Sequence, residues 1–272
     1  MEQLLTKQIS IEGLDCHSQQ AFQYVLKKYV FSLVIQEQNQ FAAMGLKNEY
    51  IHESVQQNEA RKEKNKDLPK EQKISHYPVL VNAFYQQGKF NIIGYGKKGI
   101  ACLDLWLCLF NDLPSIQDKN LDISVLQSQT QIGPAATDYT YTCYNWVPFR
   151  NCKSINGFYY NLDKKPKQIA NFETRLKKNL ETFITKTCGL PSFDTSALWM
   201  SILKLEHTQK KVALNKQQKA FFKITFSCNY KLPSIFSLGQ NVAYGNGVFF
   251  LQKTKPNELK KNYLQTSKSA NL

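Results

Sequence analysis

Arginine is scarce in this 272-residue sequence: only three of its 35 basic side chains are arginine, and the others are lysine. Lysine is a compact point charge that neutralises phosphate well but lacks the planar fork that binds base edges bidentately. Basic residues exceed acidic ones by 14. Such an excess is typical of proteins that bind nucleic acid or another polyanion, although a lysine bias of the source genome would produce the same composition.

Patterns for zinc binding and for membrane insertion are missing as well. The seven cysteines are scattered, with no C-x-x-C pair and no Cys/His cluster at zinc-like spacing. The N-terminus has no signal pattern, and the longest apolar run, at 100–110, contains Asp104 and is too short to span a bilayer. We therefore expect a cytoplasmic protein with reduced, buried thiols, no metal, no cofactor and no membrane contact.

Two rounds of strands and helices follow each other along the chain. Apolar residues alternate in the predicted strands and recur every three or four positions in the predicted helices. The first round comprises a strand at 4–12, a helix at 22–34, strands at 77–85 and 90–95, a helix at 100–110 and strands at 121–131 and 139–147. The second comprises a short aromatic segment at 156–161, a helix at 169–184 and strands at 198–205, 220–228 and 248–251. The first order is that of a ferredoxin-like domain.

We predict an α+β protein with two tandem ferredoxin-like (RRM-like) domains and a C-terminal glycine-rich loop. The predicted divisions are an N-terminal domain at 1–135, a linker at 136–150, a C-terminal ferredoxin-like domain with the glycine-rich loop at 151–255 and a tail at 256–272. Residues 56–75 are almost without apolar side chains. This composition predicts a solvated loop or mobile insertion within the first domain.

The segment Gly94-Tyr-Gly-Lys-Lys-Gly99 matches the G-x-G-x-x-G pattern of dinucleotide-binding turns. The strand before it is predicted to pair in a hairpin rather than through a crossover, and no acidic residue follows at the expected distance. We therefore favour a tight turn into the next helix. An unrelated basic binding protein with a nucleotide site at this turn is kept as an alternative.

A second glycine-bearing segment, Gly239-Gln-Asn-Val-Ala-Tyr-Gly-Asn-Gly247, lies between a predicted turn and the last strand. Glycine allows positive φ and close backbone approach, so exposed amides here could hold a phosphate. Gln240, Asn241 and Asn246 add hydrogen-bond donors. Spacing alone fits a β-bulge with a tight turn equally well.

This segment resembles the glycine-rich loop of CRISPR-associated endoribonucleases that process repeat RNA, in the RAMP superfamily. The family loop has the form G-x-G-K/Q-x-x-x-x-G-x-G, whose last glycines match Gly245 and Gly247; Ser237 stands where the first glycine often stands, and Gln240 where lysine is usual. Upstream, His76-Tyr-Pro-Val-Leu80 is similar to the family's R-Y-P-L-I-Q-Y-K, with Val81-Asn82 replacing its Gln and Lys. Tyr144-Asn-Trp-Val-Pro148 and the following helix resemble the b-type branch.

The resemblance implies metal-independent cleavage of CRISPR repeat RNA, in which the 2′-hydroxyl attacks the adjacent phosphate and leaves a 2′,3′-cyclic phosphate. It places catalytic residues at His52, where Tyr50 replaces a second histidine, at Tyr77 and at His17. It places RNA-binding residues in the glycine segment, at Gly239, Gln240, Asn241, Gly245, Asn246 and Gly247. Basic residues of the second half, Arg150, Lys153, Arg175 and Lys178, could track an RNA backbone, although a solvated helix face explains those of the predicted helix equally well. The alternative is an inactive relative that holds the processed RNA among other CRISPR effector subunits. A homodimer is a further expectation.

Overall fold

The computed structural model describes residues 2–52, 55–69, 78–148, 166–190, 197–214, 217–240 and 242–252. Several predicted features fall outside these ranges, and the structure says nothing of them. They are His76, Tyr77, Arg150, Lys153, Asn241 and the tail at 256–272.

Four antiparallel strands form the sheet of the N-terminal half. They are β1 (Glu2–Glu12), β2 (Val81–Gln86), β3 (Lys89–Tyr95) and the first part of β4 (Asp122–Trp146), in the lateral order β2-β3-β1-β4. Gln87 and Gly88, both with positive φ, close the β2–β3 hairpin. This matches the hairpin predicted around 86–89.

The strand β4 is shared by both halves of the sheet. Its residues 122–132 pair with β1, and its later residues pair with β6 (Gln217–Lys231) on one side and β8 (Val248–Leu251) on the other. The strand β5 (Met200–Leu214) pairs with β6, and β7 (Ile235–Ser237) pairs with β8. With β7 left out, the N-terminal half has the strands β1, β2, β3 and β4, and the C-terminal half has β4, β5, β6 and β8. When each set is numbered 1 to 4 in chain order, both halves have the same lateral order, 4-1-3-2.

Helices cover one face of each half. The N-terminal half carries a nearly continuous helical stretch of α1 (Gln19–Val25), a π-helical turn (Leu26–Phe31) and α2 (Ser32–Gln36), followed by α3 (Gln38–Ala43). Later come α4 (Val55–Lys64), α5 (Gly96–Asn111) and α6 (Pro114–Gln117). The C-terminal half carries α7 (Pro166–Thr182), extended by a π-helical turn (Phe183–Thr187). Ser18 caps α1 by accepting a hydrogen bond from the Ala21 amide.

Strands β2 and β3 of the N-terminal sheet are buried on both faces, whereas residues 122–131 of β4 are mostly exposed. Ile9, Phe90 and Ile92 pack with the helices of their own half. Phe84 and Tyr95 instead belong to the core of the C-terminal half. The Tyr95 ring lies edge-on to Phe183 at 5.4 Å, and the Phe84 ring lies edge-on to Phe250 at 5.9 Å. The two halves therefore share apolar packing as well as β4.

Two predictions about local structure were wrong. Residues 56–64 were predicted as part of a solvated loop but lie in α4, since Glu, Ala, Arg, Lys and Gln are good helix formers even without an apolar stripe. The residues after Lys231, predicted as a turn or short helix, lead into β7. The strand predicted at 139–147 is the last part of β4, which ends at Trp146.

The turn at Gly94–Gly99 is confirmed as a tight connection between β3 and α5. A Cβ atom on Gly94 would lie 2.6 Å from the Gly99 carbonyl oxygen, and one on Gly99 would lie 2.7 Å from that of Leu80. Any larger side chain would push the strand and helix apart. Close packing of this turn accounts for both glycines without a bound nucleotide.

The six cysteines in the described residues are free thiols, and five of them are buried. Burial raises the pKa of Cys16 to about 11 and that of Cys102 to about 12. Cys108, on α5, is the exposed one of the six.

Candidate functional site

The glycine segment folds into a loop between β7 and β8 that only glycine permits. Its three glycines have φ of +103° (Gly239), +76° (Gly245) and +68° (Gly247). The Leu238 amide donates to the Gly247 carbonyl at 2.8 Å, and a Cβ atom on Gly247 would lie 1.9 Å from the Leu238 carbonyl oxygen. The loop is therefore closed at its base by a backbone approach that excludes any side chain at position 247.

The tip of this loop rests on the N-terminal half. A Cβ atom on Gly245 would lie 2.7 Å from the Phe22 ring of α1 and 2.9 Å from the Ala83 carbonyl oxygen of β2. The Gln23 side-chain amide donates to the Tyr244 carbonyl oxygen at 2.8 Å. The glycine segment thus lies against both the first helix and the hairpin of the other half.

Asn145, near the end of β4, holds the loop from the opposite side. Its Nδ2 donates to the Gly245 carbonyl at 3.1 Å, and its Oδ1 accepts from the Gly247 amide at 3.2 Å. The backbone carbonyl of Asn145 also accepts from that amide, at 3.1 Å. One side chain therefore ties the loop to the strand that both halves share.

Three amides of the glycine segment already donate within the protein. Gln240 donates to Val147, Gly245 to Val242, and Gly247 to Asn145. The Asn246 side chain, predicted as an RNA contact, is only 3% exposed. Contact between this segment and a phosphate would have to use other groups, such as the half-buried Gln240 side chain.

The structure brings His52 to the glycine segment. His52 follows a short 3₁₀ turn (Asn48–Tyr50), and its ring stacks on Phe31 with centroids 3.8 Å apart and planes 12° apart. Tyr244 stands edge-on to both rings, 5.7 Å from His52 and 5.2 Å from Phe31. His52 and Tyr244 of the glycine segment, 192 positions apart in the sequence, therefore meet in one aromatic cluster formed by Phe31, His52 and Tyr244.

His17 has a different setting. Its side chain is 82% exposed ahead of α1, and its Nε2 lies 3.8 Å from an Asp15 carboxylate oxygen. Tyr50, at the position of the second histidine in the family pattern, is buried. Of the predicted catalytic residues within the described ranges, His52 is the one found in contact with the glycine segment.

A cleft of about 360 Å³ opens between the two halves beside the glycine segment. We call it the central cleft; six of its lining residues are aromatic: Phe22, Phe84, Tyr85, Tyr144, Phe221 and Phe250. Gln23, Asn145 and Gly245, which fix the loop, also line it. The central cleft and the cluster of Phe31, His52 and Tyr244 therefore both adjoin the glycine segment.

Arg175 and Lys178 of α7 lie outside its buried apolar face. Phe172, Leu176 and Leu180 are fully buried, whereas Lys178 is exposed and Arg175 is half-buried. The Phe172 ring packs edge-on to Phe222 of β6 at 4.9 Å. This matches the predicted division of α7 into an apolar and a basic face.

Sequence reasoning missed several residues that build this site, namely Gln23, Phe31, Asn145 and Tyr244. Phe31 was not among the residues of the predicted apolar stripe, and Tyr244 entered only as part of the glycine segment. Their roles come from contacts between distant parts of the chain. Asn145 carried a weak signal, since it belongs to the Tyr144–Pro148 stretch that resembles the b-type branch.

Comparisons with known proteins match the chain to solved structures. One structure, of Cas6b, has a TM-score of 0.58 at 16% identity and covers 92% of this chain and 100% of its own. The chain has the fold of Cas6. A second Cas6b structure, described as a CRISPR RNA processing endoribonuclease, has a TM-score of 0.54 at 16% identity, covering 91% of this chain and 100% of its own. Csf5, a type IV Cas6 crRNA endonuclease, has a TM-score of 0.54 at 11% identity, covering 91% and 99%.

The resemblance read from the sequence is therefore confirmed as a shared Cas6 fold. At the level of sequence, no family model and no curated protein matches the chain. Within the described ranges, no three His, Cys, Asp or Glu side chains are grouped to hold a metal ion. No helix in the same ranges is long and apolar enough to cross a membrane.

Proposed function

We propose that this chain is an endoribonuclease that binds CRISPR repeat RNA and cleaves it without a metal ion. The observation that carries the proposal is the contact of His52 with Tyr244 of the glycine segment, at 5.7 Å between ring centroids. Histidine changes its protonation near neutral pH, which suits a group that must take up or release a proton. Its neighbour is the loop that the Cas6 resemblance assigns to RNA.

The proposed reaction breaks one phosphodiester bond and forms another. The ribose 2′-oxygen attacks the adjacent phosphorus and loses its proton to a base, while the 5′-oxygen leaves and takes a proton from an acid. The products are a 2′,3′-cyclic phosphate and a 5′-hydroxyl. We assign one proton transfer to His52 and keep Tyr77 and His17 as candidates for the other. A nearby cation or donor would stabilise the charge of the crowded phosphate.

We propose that the two halves are tandem ferredoxin-like domains, supported by their shared 4-1-3-2 strand order. The RNA backbone is proposed to follow basic residues of the C-terminal half, namely Arg150, Lys153, Arg175 and Lys178. The excess of 14 positive charges supports this path, because each lysine–phosphate contact releases a counterion from the RNA.

The test is cleavage of repeat RNA from a neighbouring CRISPR array by the purified chain in EDTA. The expected result is one discrete cut whose 5′ fragment ends in a 2′,3′-cyclic phosphate, detected by mass. A matched RNA with a single 2′-deoxynucleotide at the cut should bind equally well and stay intact, because the attacking hydroxyl is gone. Cleavage of the deoxy substrate at the same place would refute the mechanism.

The alternative is a catalytically idle relative that holds the processed RNA within an effector complex. Burial of Tyr50, where the family pattern has its second histidine, favours it. This alternative predicts tight, salt-sensitive binding of the same RNA with no cut after prolonged incubation. If the chain shows no salt-sensitive binding of RNA, both proposed functions are refuted.

A further inference from the structure

The central cleft contains two tyrosines that the proposed cleavage chemistry does not use. Tyr85, at the end of β2, is 39% exposed, and Tyr144, on β4, is 60% exposed. Exposed aromatic surface that is gathered in one cleft often marks a binding site. Because Tyr85 belongs to the N-terminal half and Tyr144 to the C-terminal half, a flat ligand between the halves would reach both.

Three polar side chains around this cleft already make hydrogen bonds within the protein. Asn145 uses its Nδ2 and Oδ1 on the glycine segment, and the Thr208 hydroxyl donates to the Phe221 carbonyl at 2.9 Å. Gln23 donates from its amide to Tyr244. A ligand would therefore be held by ring faces and apolar walls more than by hydrogen bonds to its edges.

The rim of the cleft carries net positive charge. The Lys223 ammonium lies over one face of the Tyr144 ring, 5.3 Å from its centroid. Lys223 and Lys204 share a single carboxylate, that of Glu206, at 3.8 and 2.8 Å, so the trio has a net charge of +1. A hydrogen bond from Lys204 lowers the pKa of Glu206, which keeps the trio at that charge in neutral solution.

We propose that the central cleft binds one unpaired RNA base of any identity, stacked on Tyr144 and Tyr85, with the adjoining phosphate at Lys223. The inference rests on the proposed function and adds to it a base-stacking subsite outside the His52 cluster. The cleft volume of about 360 Å³ lies at the small end of ligand sites, which suits one nucleotide and excludes a duplex. Stacking of this kind tolerates every base, because every base has a π face.

The experiment uses an octauridine with one central 2-aminopurine, whose fluorescence is quenched when the base stacks. Tyr144→Leu and Tyr85→Leu are each expected to weaken binding about tenfold or more and to reduce the quench. Lys223→Gln should lower the slope of log K against log salt by about 0.7, the value for one phosphate contact on a single strand. Unchanged thermal melting verifies that each variant is folded.

The matched control is Tyr24→Leu on α1. Tyr24 is 63% exposed and has Lys28 over its ring at 5.8 Å, yet it does not line the central cleft. This variant should bind the probe as the wild type does. Equal affinities for wild type, Tyr144→Leu and Tyr85→Leu would overturn the subsite, as would wild type that cleaves repeat RNA but ignores the probe. If wild type binds neither probe nor repeat RNA, the proposed function itself fails.

Discussion

Replacing Gly245 by alanine tests whether the glycine segment has to lie flat against the N-terminal half. Two separate costs are expected. A residue with φ of +76° is strained by about 1–2 kcal/mol once it carries a Cβ atom. That atom would also lie 2.7 Å from the Phe22 ring and 2.9 Å from the Ala83 carbonyl oxygen, so the segment must move away. Overpacking of this kind costs about 1–3 kcal/mol more.

Gly45 offers the matched control, because it has a similar φ of +68° but nothing within 4 Å of its Cβ position. Gly45→Ala should therefore show the backbone strain alone. Urea unfolding followed by circular dichroism measures both variants. We expect Gly245→Ala to lose about 2–5 kcal/mol of unfolding free energy and Gly45→Ala about 1–2 kcal/mol. Equal losses would mean that the loop tip is not packed against Phe22 and Ala83, and would refute the reasoning.

Three further outcomes follow from named contacts. His52→Ala should slow cleavage of repeat RNA by about 10²–10⁴-fold with nearly unchanged affinity, whereas unchanged single-turnover rates would remove His52 from the mechanism. Asn145→Ala, which removes two side-chain hydrogen bonds to the loop, should lower the unfolding free energy by about 1–3 kcal/mol in urea titrations; no loss would contradict its clamping role. Cys108→Ser should remove one fast-reacting thiol from a titration with a disulfide reagent at pH 8, because Cys108 is exposed to the reagent. A buried thiol such as Cys16 should react slowly, since its pKa is raised to about 11 and only about one part in a thousand of it is thiolate at that pH.

Most elements of the fold were predictable because their signals are local. The apolar stripe from Phe22 to Val34 repeats every three or four residues, and the structure is helical throughout that stretch. Alternation from Phe222 to Cys228 likewise identified β6. Such periodicity arises because one face of each element is buried, and it can be recognised within a single short segment of sequence.

The joint between the halves could not be predicted in the same way. The domain boundary was predicted at 135–136, but β4 continues through Gly133 and Pro134 with a register shift against β6 between Pro134 and Tyr139. Proline is tolerated at such a bulge because the residue there does not have to donate an inter-strand hydrogen bond. Whether a glycine–proline pair ends a strand or bends it depends on which strands flank it, and that is tertiary information.

The candidate site shows the same limit more sharply. Position along the chain suggested both His52 and the glycine segment, whereas the contact between them depends on how Phe31 and Tyr244 pack. The expected phosphate-binding amides were a local inference from the glycines. Asn145 and Val147 accept hydrogen bonds from two of those amides, and neither partner is adjacent in sequence.

The hydrogen bonds of these amides give the glycines a different role from the predicted one. The N–H groups of Gln240, Gly245 and Gly247 donate to acceptors within the protein, so these atoms do not bind a phosphate. The glycines instead let the loop lie close enough to the N-terminal half for Tyr244 to contact His52. Under the proposed function, lysine side chains would supply most of the attraction to the RNA backbone, which accords with a chain that has 14 excess positive charges and only three arginines. The loop would then position His52 for catalysis, and the basic surface would supply the salt-dependent affinity.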